Sequence, residues 1–83
     1  MSFDYKLLTG AHVKAARGLI SWTQDDLERE STVSKRSINN IEKEISITDR
    51  LKRDIVEAFE REGIEFLNSD APGVRLHKKN TQE

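Results

Sequence analysis

The residues best suited to chemistry lie in one stretch, TQDDLERESTVSKRSINNIEKE, which spans Thr23–Glu44. Its first half is rich in Asp and Glu, and its second half in Lys, Arg, Ser and Asn. Lysine and arginine can donate hydrogen bonds to O6 and N7 of guanine, and asparagine can pair with the N6/N7 edge of adenine. The stretch therefore raises the question of whether it reads DNA or has the shape of a DNA reader put to another use.

The rest of the sequence does not indicate catalysis. His12 and His77 are far apart in the chain and match no metal-ligand spacing such as HxxxH. There is no Ser/His/Asp constellation and no glycine-rich loop that would hold the phosphates of a nucleotide. We therefore expect both histidines to lie on the surface, and we expect no metal, no cofactor and no enzymatic activity.

The composition predicts one small domain. The chain has 83 residues, of which 35% are hydrophobic and 35% charged, and its net charge is −1. A dedicated nucleic-acid binder is usually more basic, so the positions of the charges matter more than their sum. The absence of cysteine fits a reducing cytoplasm. We expect no membrane contact, because no apolar run approaches 18 residues and the N-terminus lacks the features of a signal peptide.

Four helices follow from hydroxyl residues at helix starts and from apolar residues at helical spacing. Thr23 and Asp26 have the spacing of a capping box, in which each side chain satisfies the other's amide. We predict helices over 11–20 after Thr9, from Thr23 to residue 30 or 31, from Ser34 to Lys43, and over 49–62 after Thr48. In the third helix we expect Ile38, Ile41 and Ile45 to face inward. The polar residues left outside are then Lys35, Arg36, Asn39, Asn40 and Lys43.

The two ends of the chain have a different pattern. Phe3, Tyr5 and Leu7 alternate with polar residues, which fits either a short strand or an arm with its aromatic rings on the core. Near the C-terminus, IEF and VRL alternate around turn residues at 68–73, which predicts a β-hairpin. We divide the chain into an N-terminal arm or strand (1–10), a helix-turn-helix domain (11–63), a hairpin (64–78) and a flexible tail (79–83).

The central residues resemble the signature of the Xre/Cro-like helix-turn-helix family of small bacterial transcriptional regulators. The resemblance is carried by Gln24, Leu27, Val33, Ser34, Ile38 and Glu42. The flanking segments ARGLISWTQ and LKRDIVEAFEREGIEFLNSDAPGVRL extend it to about Val13–Lys78. It implies a mainly α fold, in which a four-helix helix-turn-helix domain is followed by a short C-terminal β-hairpin.

The resemblance also implies roles for individual residues. The third helix would enter the major groove of DNA and bring Lys35, Arg36 and Asn40 to base edges. Arg17 and Glu42 would form a partly buried ion pair between the first and third helices. Phosphate or auxiliary contacts would come from Gln24, Ser34, Ser37, Asn39, Lys43 and Arg50.

Three residues depart from the family pattern. Glu28 stands where the family prefers alanine, so its carboxylate must reach solvent or a cation. Thr32 and Glu44 stand where glycine is usual, and a β-branched residue such as Thr32 is poorly suited to positive φ. Glu28 and Glu30 also add negative charge near the expected phosphates. These residues keep open the alternative that the domain no longer holds DNA.

We therefore carry two functional hypotheses. The first is a sequence-specific transcriptional regulator, a repressor or autoregulator, which binds a near-palindromic operator in double-stranded DNA as a homodimer. The second is a helix-turn-helix protein that acts by protein contact, as an antiactivator or an antitoxin-like partner of another regulator or toxin.

Overall fold

The computed structural model describes residues 3–68 and 72–77. The chain begins with a short 3₁₀ helix at Tyr5–Leu7 and then forms four α-helices and two β-strands. The helices are α1 (Gly10–Ile20), α2 (Gln24–Ser31), α3 (Lys35–Glu42) and α4 (Asp49–Arg61); the strands are β1 (Ile64–Asn68) and β2 (Pro72–Leu76). The strands form an antiparallel hairpin with Phe66 opposite Val74. The predicted fold, four helices followed by a C-terminal hairpin, is confirmed.

Each α-helix starts where a hydroxyl side chain accepts a hydrogen bond from an amide of the first turn. The caps are the four predicted residues, Thr9, Thr23, Ser34 and Thr48. Thr23 and Asp26 form the predicted capping box, with hydrogen bonds of 2.9 and 3.0 Å. These bonds satisfy amides that have no partner within the helix, so the helix starts are determined locally.

The core lies between the helices and one face of the hairpin. The side chains of Leu27, Ile38, Ile55 and Phe59 are completely buried there. Helix α2 packs against α3 and α4, and α1 packs against α3 and β2. Because α3 contributes Ile38 and Ile41 to this core, its opposite face is fixed toward solvent.

The turn from α2 to α3 contains a residue in a conformation that glycine usually adopts. Thr32 has φ +61°, in the left-handed region. For a residue with a side chain this conformation costs roughly 1–2 kcal/mol. Thr32 therefore adopts the positive φ to which a β-branched residue is poorly suited, and the packing of α2 against α3 has to offset this cost.

A second left-handed residue, Glu44, with φ +62°, follows the end of α3. The amide of Glu44 donates to the carbonyl of Ile41 at 2.8 Å, and the amide of Ile45 donates to the carbonyl of Asn40 at 2.8 Å. This pattern closes the helix and redirects the chain. The expectation that Ile45 faces inward is wrong, because the turn leaves its side chain 51% exposed.

The N-terminal segment does not form the strand that was one of its two predicted forms. The Asp4 carboxylate accepts a hydrogen bond from the amide of Lys6, and the amide of Leu7 donates to the carbonyl of Asp4 at 2.9 Å. These local bonds form a 3₁₀ turn and use amides that a strand would give to a neighbour. Phe3 is buried and Tyr5 packs against the core, as the alternative form predicted.

The hairpin is longer at its tip than the sequence suggested. Residues 68 and 72–73, assigned to the turn from their composition, belong to the strands, and Asn68 pairs with Pro72. Residues 69–71, residue 78 and the predicted tail at 79–83 lie outside the described residues. Gly63, with φ +92°, turns the chain from α4 into β1. Within the two described ranges, no helix is both long and apolar enough to cross a bilayer.

Candidate nucleic-acid interface

The outward face of α3 carries three of the predicted DNA contacts in one row. Arg36, Asn40 and Lys43 follow one another at intervals of four and three residues, which places them on the same side of the helix. Arg36 and Lys43 are exposed and Asn40 is half-buried. Among residues 3–68 and 72–77, none of these three side chains has a hydrogen-bond or ion-pair partner. Their donors are thus available to a ligand placed against α3.

Lys35, the third predicted base-reading residue, is already engaged at both of its nitrogens. Its ammonium group lies 3.0 Å from the Asp25 carboxylate, and its backbone amide donates to the Glu28 carboxylate at 3.0 Å. The ammonium–Asp25 pair is exposed, and such pairs contribute about 0–1 kcal/mol, so a phosphate could replace Asp25 at little cost. Glu28 does not need a cation, because its partner is the N-terminal amide of α3.

Gln24 does not present its side-chain amide to solvent. Its Nε2 donates to Oε1 of Glu42 at 3.1 Å, which directs the side chain toward α3. A phosphate contact from Gln24 would therefore come from the backbone at the N-terminus of α2, where amides of the first turn point along the helix axis. The side-chain contact expected from the resemblance would require Gln24 to leave Glu42.

The remaining predicted contacts differ in how far they are free to reach a ligand. The Ser34 hydroxyl accepts from the amide of Ser37 at 3.2 Å, and the two hydroxyls lie 3.2 Å apart. Both serines therefore take part in capping α3. Asn39 is half-buried, and Arg50 is exposed in the first turn of α4. Some of the predicted contact residues therefore have side chains that face outward. Others have side chains that form hydrogen bonds stabilising the helices themselves.

The predicted ion pair between Arg17 and Glu42 holds α1 against α3. The Arg17 guanidinium donates to both carboxylate oxygens, at 2.7 and 2.9 Å, and to the carbonyl of Trp22 at 3.0 Å. The Glu42 side chain is 7% exposed. Hydrogen bonding to Glu42 raises the pKa of Arg17, so its charge is permanent. The pair fixes the orientation of α3 relative to the rest of the domain.

Carboxylates stand close to both ends of the candidate interface. At the start of α3 they are Asp25 and Glu28, which contact Lys35. Beyond its end, Oε1 of Glu44 accepts a hydrogen bond from the amide of Gly10 at 3.1 Å. The surface is therefore mixed in charge, because the cations at each end of α3 lie close to carboxylates. Such a surface attracts a polyanion less strongly than a uniformly basic one.

One polar residue in the interior was not expected from the sequence. His12 is 4% exposed, so the prediction that it lies on the surface is wrong. Its Nδ1 accepts a hydrogen bond from the amide of Thr9 at 3.0 Å, which makes it the partner of Thr9 in a capping box. The spacing Thr-x-x-His was a usable signal, although the third helical position of a capping box more often holds Glu or Gln.

The structure contains no alternative centre for metal chemistry among residues 3–68 and 72–77. In that part of the chain, no three His, Asp or Glu side chains come together as a set that could hold a metal ion. The sequence predicts polar side chains on the outward face of α3. The structure shows that some of these side chains have no partner among the described residues. Comparisons with protein-family models and with curated proteins give no match to this chain.

Proposed function

We propose that the protein is a small regulator that binds double-stranded DNA through α3 and belongs to the Xre/Cro-like helix-turn-helix type. The observation that carries the proposal is the row of unengaged donors Arg36, Asn40 and Lys43 on the solvent face of α3. The guanidinium of Arg36 matches the O6/N7 edge of guanine, and the amide of Asn40 matches the N6/N7 edge of adenine. Lys43, at the end of the row, suits a phosphate.

The rigidity of α3 supports this role. Ile38 and Ile41 anchor the helix in the core, and Glu42 is clamped by Arg17 from α1. A reading helix held in one orientation loses little freedom when it enters a groove. One such module covers little DNA, so we propose that a homodimer binds two half-sites, spaced by about one helical turn or a multiple of it, in a near-palindromic operator.

The first test is fluorescence anisotropy with DNA from upstream of the protein's own gene and with scrambled DNA, at two salt concentrations. We expect preference for the native sequence and a steep loss of affinity with salt, because phosphate contacts release counterions. Arg36→Ala should lower the discrimination by about 1–3 kcal/mol. Arg53→Ala is the matched control, since Arg53 is an exposed arginine of α4 outside the proposed contacts. Unchanged discrimination in Arg36→Ala would contradict the base-reading role.

A second function is favoured by the carboxylates at the start of α3. Asp25 and Glu28 occupy the ammonium group and the amide of Lys35, which are the groups that would otherwise meet DNA there. A protein partner with its own cations could use the same face without repulsion from these carboxylates. In this case the protein would act as an antiactivator or an antitoxin-like partner that masks another regulator or a toxin.

The same titration separates the two functions. If the folded protein binds neither the upstream DNA nor the scrambled DNA at low salt, it has no interface that contacts phosphates, and the DNA proposal fails. A pull-down with the purified protein as bait then tests the second function. Asp25→Asn supplies the variant and Glu57→Gln, at an exposed acid of α4, the control, because a partner that recognises the carboxylates should be lost only with Asp25. Equal capture by both variants would argue against a partner on this face.

A further inference from the structure

The N-terminus of α1 is held by an arrangement that requires one protonation state of a buried histidine. The amide of Thr9 donates to Nδ1 of His12 at 3.0 Å, so Nδ1 must carry a lone pair. The proton of the neutral ring is then on Nε2, which is buried and has no hydrogen-bond partner among the described residues. A second bond, from the amide of Gly10 to Glu44, holds the next residue of the chain.

The surroundings of the ring favour the neutral form. The ring of His12 lies edge-on to Phe3 at 5.3 Å and to Phe66 at 5.9 Å between ring centroids. These aromatic neighbours come from the N-terminal segment and from β1. Neither phenyl ring carries a hydrogen-bond acceptor for a charged imidazolium. A charge placed on this ring would be largely removed from water.

Protonation would act directly on the hydrogen bond that starts α1. With a proton on Nδ1, two donors, Nδ1–H and the amide of Thr9, would face each other 3.0 Å apart. The Thr9 hydroxyl oxygen, also 3.0 Å from Nδ1, could accept a hydrogen bond from Nδ1–H, but the Thr9 amide would still lose its acceptor. Residue 9 joins α1 to the segment that carries Phe3 and Leu8, both buried.

We propose that His12 is an acid-sensitive latch, which holds the N-terminal segment 3–9 on the core while it is neutral and releases it when protonated. A cavity of about 180 Å³ between α1 and β2 has His12 in its wall, next to Ala11 and Val74. Release would also loosen the first turn of α1, to which the turn after α3 is attached through Glu44.

The charges around the ring set the direction of the pH dependence. Burial lowers the pKa of His12, and the nearby Glu44 carboxylate opposes this shift. On the hairpin, Arg75 and His77 contact Glu65, and all three side chains lie on an exposed face. In the N-terminal segment Asp4 and Lys6 are exposed, as is Lys14 on α1, while Arg17 of α1 is paired with Glu42.

The folded-state pKa of His12 lies below its unfolded value of about 6.5. At a pH between these two pKa values, the unfolded chain therefore binds more protons than the folded protein. The stability that neutral His12 supplies is therefore complete above pH about 6.5, and it decreases as the pH falls from there toward the folded pKa. Full protonation would leave the segment 3–9 without its anchor to α1.

The direct test is an NMR titration of the unmodified protein, whose two histidines give two imidazole signals. We expect His12 to titrate below pH about 6.5 and the amide signal of Thr9 to shift with the same midpoint. The proposal is overturned if His12 titrates at or above that value. It is equally overturned if the Thr9 amide does not respond through the His12 midpoint.

A pair of variants tests the consequence for stability. In His12→Gln the side-chain carbonyl can still accept from the Thr9 amide, as glutamine does in capping boxes, but it does not titrate. His77→Gln removes the exposed histidine as the control. Between pH about 7.5 and about 5, the urea midpoints of the unmodified protein and of His77→Gln should fall further than that of His12→Gln. Equal losses in all three proteins would overturn the latch.

Discussion

Replacing Arg17 with methionine should destabilise the protein far more than the loss of an ordinary surface charge. Arg17 supplies three hydrogen bonds, two to Glu42 and one to the carbonyl of Trp22. Without it the Glu42 carboxylate keeps, among the described residues, only the bond from Gln24 at 3.1 Å, while its side chain is 7% exposed. Methionine retains the apolar stem of arginine, so the change isolates the loss of the guanidinium group.

The magnitude follows from the burial of the two partners. Breaking a buried ion pair by removing one member costs about 3–5 kcal/mol, because the other charge is left uncompensated. The Arg17 side chain is 22% exposed, so water can reach part of the vacated space, and we expect a value near the lower limit, about 3 kcal/mol. A small domain has a total stability of about 5 kcal/mol or slightly more, so most of it would be lost.

The assay is urea unfolding followed by circular dichroism at neutral pH. With a slope of about 1 kcal/mol per molar urea, the midpoint should move by about 3 M, or the variant should be unfolded without denaturant. Arg29→Met is the matched control, since Arg29 pairs with Asp26 at 3.0 Å but its side chain is 65% exposed. That change should leave the urea midpoint close to that of the unmodified protein, because water screens an exposed pair.

A double variant tests the explanation itself. In Arg17→Met combined with Glu42→Met, no charge is left stranded, so the protein should be more stable than Arg17→Met alone. Two results would refute the reasoning. One is a cost for Arg17→Met within about 0.5 kcal/mol of the cost for Arg29→Met, and the other is a double variant as unstable as the sum of its two single changes.

Four further changes have directions set by local geometry. Gly10→Ala should destabilise by more than about 2 kcal/mol, because a Cβ there would overlap the backbone carbonyl oxygen of Ile41 in α3. Gly18→Ala should stabilise by up to about 1 kcal/mol, because its Cβ would meet open space in a helix; the two thermal midpoints decide this contrast. Thr32→Gly should raise the urea midpoint by relieving about 1 kcal/mol of left-handed strain, and an unchanged or lower midpoint would argue against strain at this turn. Asp25→Asn should strengthen binding to any DNA at low salt by freeing Lys35, and anisotropy showing no gain would mean that the 3.0 Å pair does not compete with phosphate.

The helices were predictable because their start signals are local. Thr9, Thr23, Ser34 and Thr48 each cap a helix through an amide only three residues away, so neighbouring residues in the sequence contain the whole interaction. The alternating residues around Phe66 likewise predicted the hairpin, since the period of two belongs to each strand separately. The strand boundaries were less accurate, because pairing between Asn68 and Pro72 depends on the partner strand.

The candidate interface was predictable only in part. Helical spacing placed Arg36 and Asn40 on the outer face of α3 as soon as Ile38 and Ile41 were assigned to the core. The partners of Lys35 and Gln24 were not predictable in this way. Lys35 meets Asp25 and Gln24 meets Glu42 across the packed helices, and a pattern of single residues does not give such distances.

The sequence by itself thus determined where the helices and the hairpin form and which face of α3 remains polar, because these depend on caps and periodicity within short segments. Only the tertiary structure decided which polar groups are enclosed. His12 became buried because Phe3 and Phe66 close over it, and the amide of Gly10 found its acceptor in Glu44, 34 residues away. Burial is a property of contacts between distant segments, so it is decided only when the helices and the hairpin pack together.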